Sequence, residues 1–168
     1  MIGRVLVAGI GNIFLSDDGF GVEVAKRLTA WPLPPGVRVI DFGIRGVHLS
    51  YELLDGYDAV VLIDAVPMGE SPGTLAVIEP DAFAGPGSGD ELAPVVDAHS
   101  MSPGVVLEML ARLGGAVDRI LVVGCQPASL DEGIGLTEPV AAAIEGAMEL
   151  CGQLVAELLQ PAAKETTR

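Results

Sequence analysis

Val5-Leu6-Val7-Ala8-Gly9-Ile10-Gly11-Asn12-Ile13-Phe14-Leu15-Ser16-Asp17-Asp18-Gly19-Phe20-Gly21 points to an open α/β fold. An apolar run, Val5 to Ala8, passes into a glycine-rich turn, and a helical pattern, Val22 to Leu28, follows. Open α/β sheets place their chemistry at turns that leave a buried strand for a helix. Most such turns carry glycines to receive a phosphate. Here two adjacent carboxylates, Asp17 and Asp18, would repel a phosphate and attract a cation.

The flanking segments extend this pattern. Arg4 to Ile10 reads as a buried strand, and Gly19 to Thr29 as a helix. Val22, Ala25 and Leu28 line one face of that helix, with Glu23, Lys26 and Arg27 on the other. Trp31-Pro32-Leu33-Pro34-Pro35-Gly36 ends it. Val37 to Phe42 is a second strand, Val47 to Leu54 a short helix, and Tyr57 to Ile63 a third strand apolar enough to be central. This β-α-β-α-β order implies a parallel sheet with right-handed crossovers.

Thr74 to Glu79 then follows the third strand with no helix between them, which favours an antiparallel fourth strand. Pro80 to Pro94 is rich in Gly, Pro and Asp and reads as a surface excursion. Ser102 and Pro103 are expected to open a helix that runs to Leu113. Arg119 to Cys125 is a fifth strand. A long last helix is expected over Thr137 to Leu159, capped by Thr137, with Val140, Ile144, Ala147, Met148, Cys151 and Leu154 as its buried stripe. Residues 1–160 read as one domain and 161–168 as a frayed tail.

Composition narrows the function. Half of the 168 residues are hydrophobic but only 4% are aromatic, so the core is built from Val, Leu, Ile and Ala. A formal net charge of −14 argues against nucleic acid and anionic membranes, and is compatible with basic partners or cations. No run reaches the ~20 apolar residues of a membrane span, and no signal-peptide pattern is present, so a cytoplasmic protein is expected. Cys125 and Cys151, far apart in the chain, read as buried thiols rather than a disulfide framework.

Three side chains are candidates for a cation site. Ser16, Asp17 or Asp18 suits a helix N-cap, but Asp64 adds a second carboxylate at the end of strand three. If strands one and three are neighbours with strand two outside, Asp18 and Asp64 face each other at a topological switch point. Asp64 alone also fits an Asx turn. His99, which precedes a strand–helix junction, fits either a hydrogen-bonded structural role or a third ligand. His48 is expected to be an ordinary surface or core residue. Two carboxylates and an imidazole form an open N/O set suited to zinc, nickel or a similar divalent ion.

The stretch Val7 to Asn12 with Asp17-Asp18-Gly19-Phe20-Gly21-Val22 resembles the hydrogenase maturation proteases. Asp41-Phe42-Gly43 with Gly46, Asp64-Ala65-Val66 with Gly69, Pro72 and Gly73, and His99 before Ser102-Pro103 follow in order. Gly124-Cys125-Gln126-Pro127 and Gly135-Leu136-Thr137-Glu138-Pro139-Val140 complete the set. The resemblance implies a three-layer α/β/α sandwich around a five-stranded mixed, mostly parallel sheet with one antiparallel strand. It implies an endopeptidase that trims the C-terminus of a nickel–iron hydrogenase large-subunit precursor.

By motif, the resemblance assigns Asp18, Asp64 and His99 as metal ligands, with Asp17 the alternative to Asp18. The metal would be the precursor's own nickel, with other divalent ions such as zinc as substitutes, and the enzyme a monomer. Asp18 or Asp64 is left open as general base. A phosphoacceptor receiver-like domain is the alternative, but Gly124-Cys125-Gln126-Pro127 stands where it needs a lysine. A mononucleotide-binding module lacks its third glycine and its phosphate-binding lysine.

Overall fold

Alternation within three apolar runs builds the centre of the molecule. The computed structural model describes residues 3–79 and 103–160. In chain order they form β1 (Val5–Ile10), a 3-10 turn (Ser16–Gly19), α1 (Phe20–Leu28), β2 (Val37–Gly43) and α2 (Gly46–Leu53). Then come β3 (Ala59–Ala65), β4 (Leu75–Ile78), α3 (Pro103–Arg112), β5 (Arg119–Cys125), α4 (Glu138–Ala142) and α5 (Ile144–Leu159).

Along β1, β3 and β5, Val5, Val7, Val61, Ile63, Leu121 and Val123 enter one core with α1 and α5. The intervening Leu6, Ala8, Val60, Leu62, Ile120 and Val122 enter a second core with α2 and α3. Both sheet faces are therefore covered, and the strands need apolar residues at every position. All six residues of β1 are buried for this reason.

The five strands lie in the order β2-β1-β3-β5-β4. β1 is parallel to β2 and β3, and β3 is parallel to β5. β4 runs antiparallel to β5, as expected of a strand reached without a helical crossover. β3 is central, and β1 and β3 are neighbours with β2 outside. The chain is thus a mixed α/β fold with helices on both faces of a mostly parallel sheet.

α2 and the end of α3 are each shifted by one residue from the sequence reading, and two other helices differ from it in their build. A 3-10 turn over Ser16–Gly19 leads into α1, which begins at Phe20. The last helix is two helices: at Ala143 the N–H donates to Val140 three residues back, a tighter turn that separates α4 from α5. The buried stripe is nonetheless the expected one, from Val140 through Ile144, Ala147, Met148 and Cys151 to Leu154. The excursion over 80–94, His99, the Ser102 cap and the tail over 161–168 lie outside the described residues. Among the described residues no helix is long and apolar enough to cross a membrane.

Candidate active site

β1 and β3 are neighbours at the switch point of the sheet, where open α/β folds form a crevice outside the carboxyl ends of the strands. Gly9 is the last residue of β1 paired with β3, opposite Ile63. Asp64 follows directly, opposite Gly124 on β5. Helix α1 closes the crevice from one face. It can approach only because position 21 is glycine: a Cβ there would collide with the carbonyl oxygens of Ile63 and Ile10. The turn off β1 also depends on Gly11, whose φ of 138° suits a residue without a side chain. Its N–H donates to the Gly43 carbonyl at 2.9 Å, tying the turn to the end of β2.

Asn12 shapes the rest of the turn. Its side-chain oxygen accepts from the Phe14 N–H at 2.9 Å, an Asx-type turn. Its own N–H donates to Asp18 Oδ2 at 2.7 Å. Asp18 thus bonds back to the turn instead of capping α1, which has no side-chain cap. Asp18 and Asp64 are both half-buried. Burial, and then the negative charge of Asp18, push the Asp64 carboxyl well above the usual carboxylate range, against a smaller opposing effect of the Ala65 N–H. In the ion pairs found among the described residues neither carboxylate takes part.

Asp17, the neighbour in sequence, points elsewhere. Its side chain is fully buried. Oδ2 accepts from the N–H groups of Ala128 at 2.8 Å and Ser129 at 3.0 Å. Oδ1 accepts from the Thr137 N–H at 2.7 Å, and the Thr137 hydroxyl lies 3.0 and 2.8 Å from the two oxygens. Burial disfavours the charge, but the hydrogen bonds from Thr137, Ser129 and Ala128 outweigh it and hold the carboxyl below its ordinary range. Thr137 occupies the N-cap position of α4 as expected, yet it makes no side-chain cap there; its hydroxyl serves Asp17.

The loop between β5 and α4 is the part of the site that sequence reasoning missed. It continues from the same sheet edge as Asp64, which is the signal that could have found it. Ser16 N–H donates to the Gly133 carbonyl, and Gly133 N–H to the Phe14 carbonyl, both at 2.8 Å. The Ser16 hydroxyl donates to the Asp131 carbonyl at 2.7 Å. Beside these bonds Phe14 and Ile134 stay 62% and 80% exposed, leaving apolar side chains on the turn that carries Asp18 and on the loop against it. At the head of the loop, Gln126 accepts from the Met68 and Glu70 N–H groups and so fixes the segment after Asp64.

His99 lies outside the described residues; among the described residues no group of three His, Cys, Asp or Glu side chains is gathered to hold a metal. His48 is exposed on α2. Cys125 and Cys151 are free and buried, as expected. Burial, and then the Asp17 charge, raise the Cys125 thiol to about 11, and burial raises Cys151 to about 12, so neither is an activated nucleophile.

A sequence profile of hydrogenase maturation proteases matches residues 22–153. The chain belongs to the hydrogenase maturation protease family. It is 33% identical over 153 residues to the hydrogenase 2 maturation protease of Escherichia coli, covering 87% of each chain. A hydrogenase expression/formation protein of Azotobacter chroococcum is 35% identical over 159 residues, with 92% of this chain and 72% of that protein covered. The structure of a hydrogenase maturating endopeptidase from E. coli superposes with a TM-score of 0.71 at 31% identity, covering 92% of this chain and 93% of that one.

Membership in this family makes the chain a protease of hydrogenase maturation with the family's α/β fold. The receiver-like alternative finds no support in these matches. Its required lysine is also missing, since the residues after β5 are Gln126 and Pro127.

Proposed function

We propose that this protease removes the C-terminal extension of a nickel–iron hydrogenase large-subunit precursor after nickel has been inserted, and that it reads the precursor's nickel as the sign of a loaded site. The observation that carries this reading is the pair Asp18 and Asp64. Two half-buried carboxylates flank one switch-point crevice closely enough for the charge of Asp18 to raise the proton affinity of Asp64. Such a pair is relieved by a cation, and oxygen donors accept nickel or zinc.

On this reading Asp18, Asp64 and His99 each offer a lone pair to the precursor's nickel, which anchors the adjacent peptide against the crevice. Phe14 and Ile134 offer apolar contact to that peptide. Anchoring places the scissile bond for attack by water, and such orientation can supply several kcal/mol of the barrier. Asp64 has the raised proton affinity suited to a general base, although it would be lowered again by a bound cation; Asp18 is the other carboxylate within the crevice. The thiols of Cys125 and Cys151 are buried and protonated, which leaves a water rather than a cysteine as the nucleophile.

The test uses purified protein and precursor followed by mass spectrometry. The nickel-loaded precursor should be shortened and the nickel-free precursor left intact, and Asp64→Asn should abolish cleavage. Equal cleavage of both precursors would overturn the role of nickel. Undiminished cleavage by Asp64→Asn would remove Asp64 from the reaction.

A further inference from the structure

Asp17 is a fully buried carboxylate to which the reaction above gives no part. The formation of this site is costly, because a charged group is taken out of water with no cation beside it among the ion pairs of the described residues. What compensates is a set of donors from one segment, Ala128, Ser129 and Thr137, more than a hundred residues further along the chain. The contact is reciprocal: the Asp17 N–H donates to the Ser129 carbonyl at 3.1 Å, and Ser16 bonds Gly133 and Asp131. The next residue, Asp18, accepts from the Asn12 N–H, and its charge is felt by Asp64.

We propose that Asp17 is a positioning residue: its carboxylate latches the 128–137 loop onto the 3-10 turn, so that Asp18 and the loop meet the substrate as one fixed unit. The proposal rests on the reading of Asp18 as a group that meets the precursor's nickel. A 3-10 turn of four residues has little stability of its own, and nothing within the turn caps it, since Leu15 at its N-cap makes no side-chain bond. The direction of Asp18 is therefore set from outside the turn, by Asn12 on one side and by the latch on the other. An error of about 1 Å at such a group can cost on the order of a hundredfold in rate.

Asp17→Asn keeps the size of the side chain but turns an NH2 group toward N–H and O–H donors. The variant should keep a native circular-dichroism spectrum. Amide hydrogen exchange at Ala128, Ser129 and Thr137 should quicken about tenfold or more, while β1 and β3 stay protected. On the nickel-loaded precursor kcat should fall about tenfold or more and KM change less than about threefold. Thr137→Ser, which retains a hydroxyl, should keep kcat, and Thr137→Val should lower it severalfold.

Faster loop exchange with an unchanged kcat would overturn the proposal, since the latch would then serve stability alone. If Asp17→Asn does not fold, the Thr137 pair decides, and equal kcat in its Ser and Val variants would overturn the proposal as well. Asp18→Asn separates the two readings. Full activity there overturns the role of Asp18 and the latch with it. An inactive Asp18→Asn beside a fully active Asp17→Asn overturns the latch only.

Discussion

Two aspartates near the switch point, Asp17 and Asp64, sit in opposite electrostatic environments. Asp17 is held charged by hydrogen bonds, and Asp64 is pushed toward its neutral form by burial and by Asp18. The consequences for stability have opposite signs. A carboxyl whose folded pKa is raised costs the folded state stability as pH rises above 3.8, its ordinary value, and through the folded value. Asp64→Asn should therefore raise the melting temperature of the free enzyme at pH 7 by a few degrees. At pH 3, where Asp64 is protonated in both states, the variant and the parent should melt together. A lower melting temperature at pH 7 would mean that Asp64 is not a strained acid. On the proposed reading the stabilised variant should also be the inactive one, a stability–activity trade-off.

At the scale of elements, the close approach of α1 to the sheet places the turn that carries both aspartates. Gly21 is the contact that sets it, wedged against the carbonyl oxygens of Ile63 and Ile10. Gly21→Ala must displace backbone rather than a flexible side chain. Its cost should be about 3 kcal/mol or more in urea unfolding, against roughly 1 kcal/mol gained where alanine replaces an unconstrained helical glycine. The same displacement should lower cleavage, because the helix carries the turn with it.

The elements themselves were largely legible in the chain. The strands, their order of occurrence and the antiparallel fourth strand follow from apolar runs and missing crossovers. The break at Ala143 was not legible, because Val140, Ile144 and Ala147 keep a helical period across it. The role of Thr137 was misread for a related reason. Its position at a helix start is a local signal, whereas the acceptor for its hydroxyl lies on another element.

Across the whole molecule, charge repulsion opposes the folded state. With a formal net charge of −14, the melting temperature at pH 7 should rise by a few degrees as salt increases from about 0.01 to 0.1 M, over which the screening length shortens from about 30 to 10 Å. An unchanged melting temperature would show that the acidic groups are too dispersed to repel. Acidification relieves the same repulsion only to a point. The folded pKa of Asp17 is depressed, so its contribution is present above 3.8 and is lost as pH falls through the folded value.

The local features of the chain announced a doubly covered sheet, a glycine-rich turn after the first strand and carboxylates at the ends of strands one and three. These depend on residues near one another in sequence, through period, turn chemistry and strand length. Which aspartate of the pair faces the crevice was beyond such signals. Asp17 is turned away by partners 111, 112 and 120 residues distant, and Asp18 is held by Asn12 six residues before it. Neighbours on a tight turn point in different directions, and only the packing of the β5–α4 loop against that turn supplies the donors that select one of them for the interior.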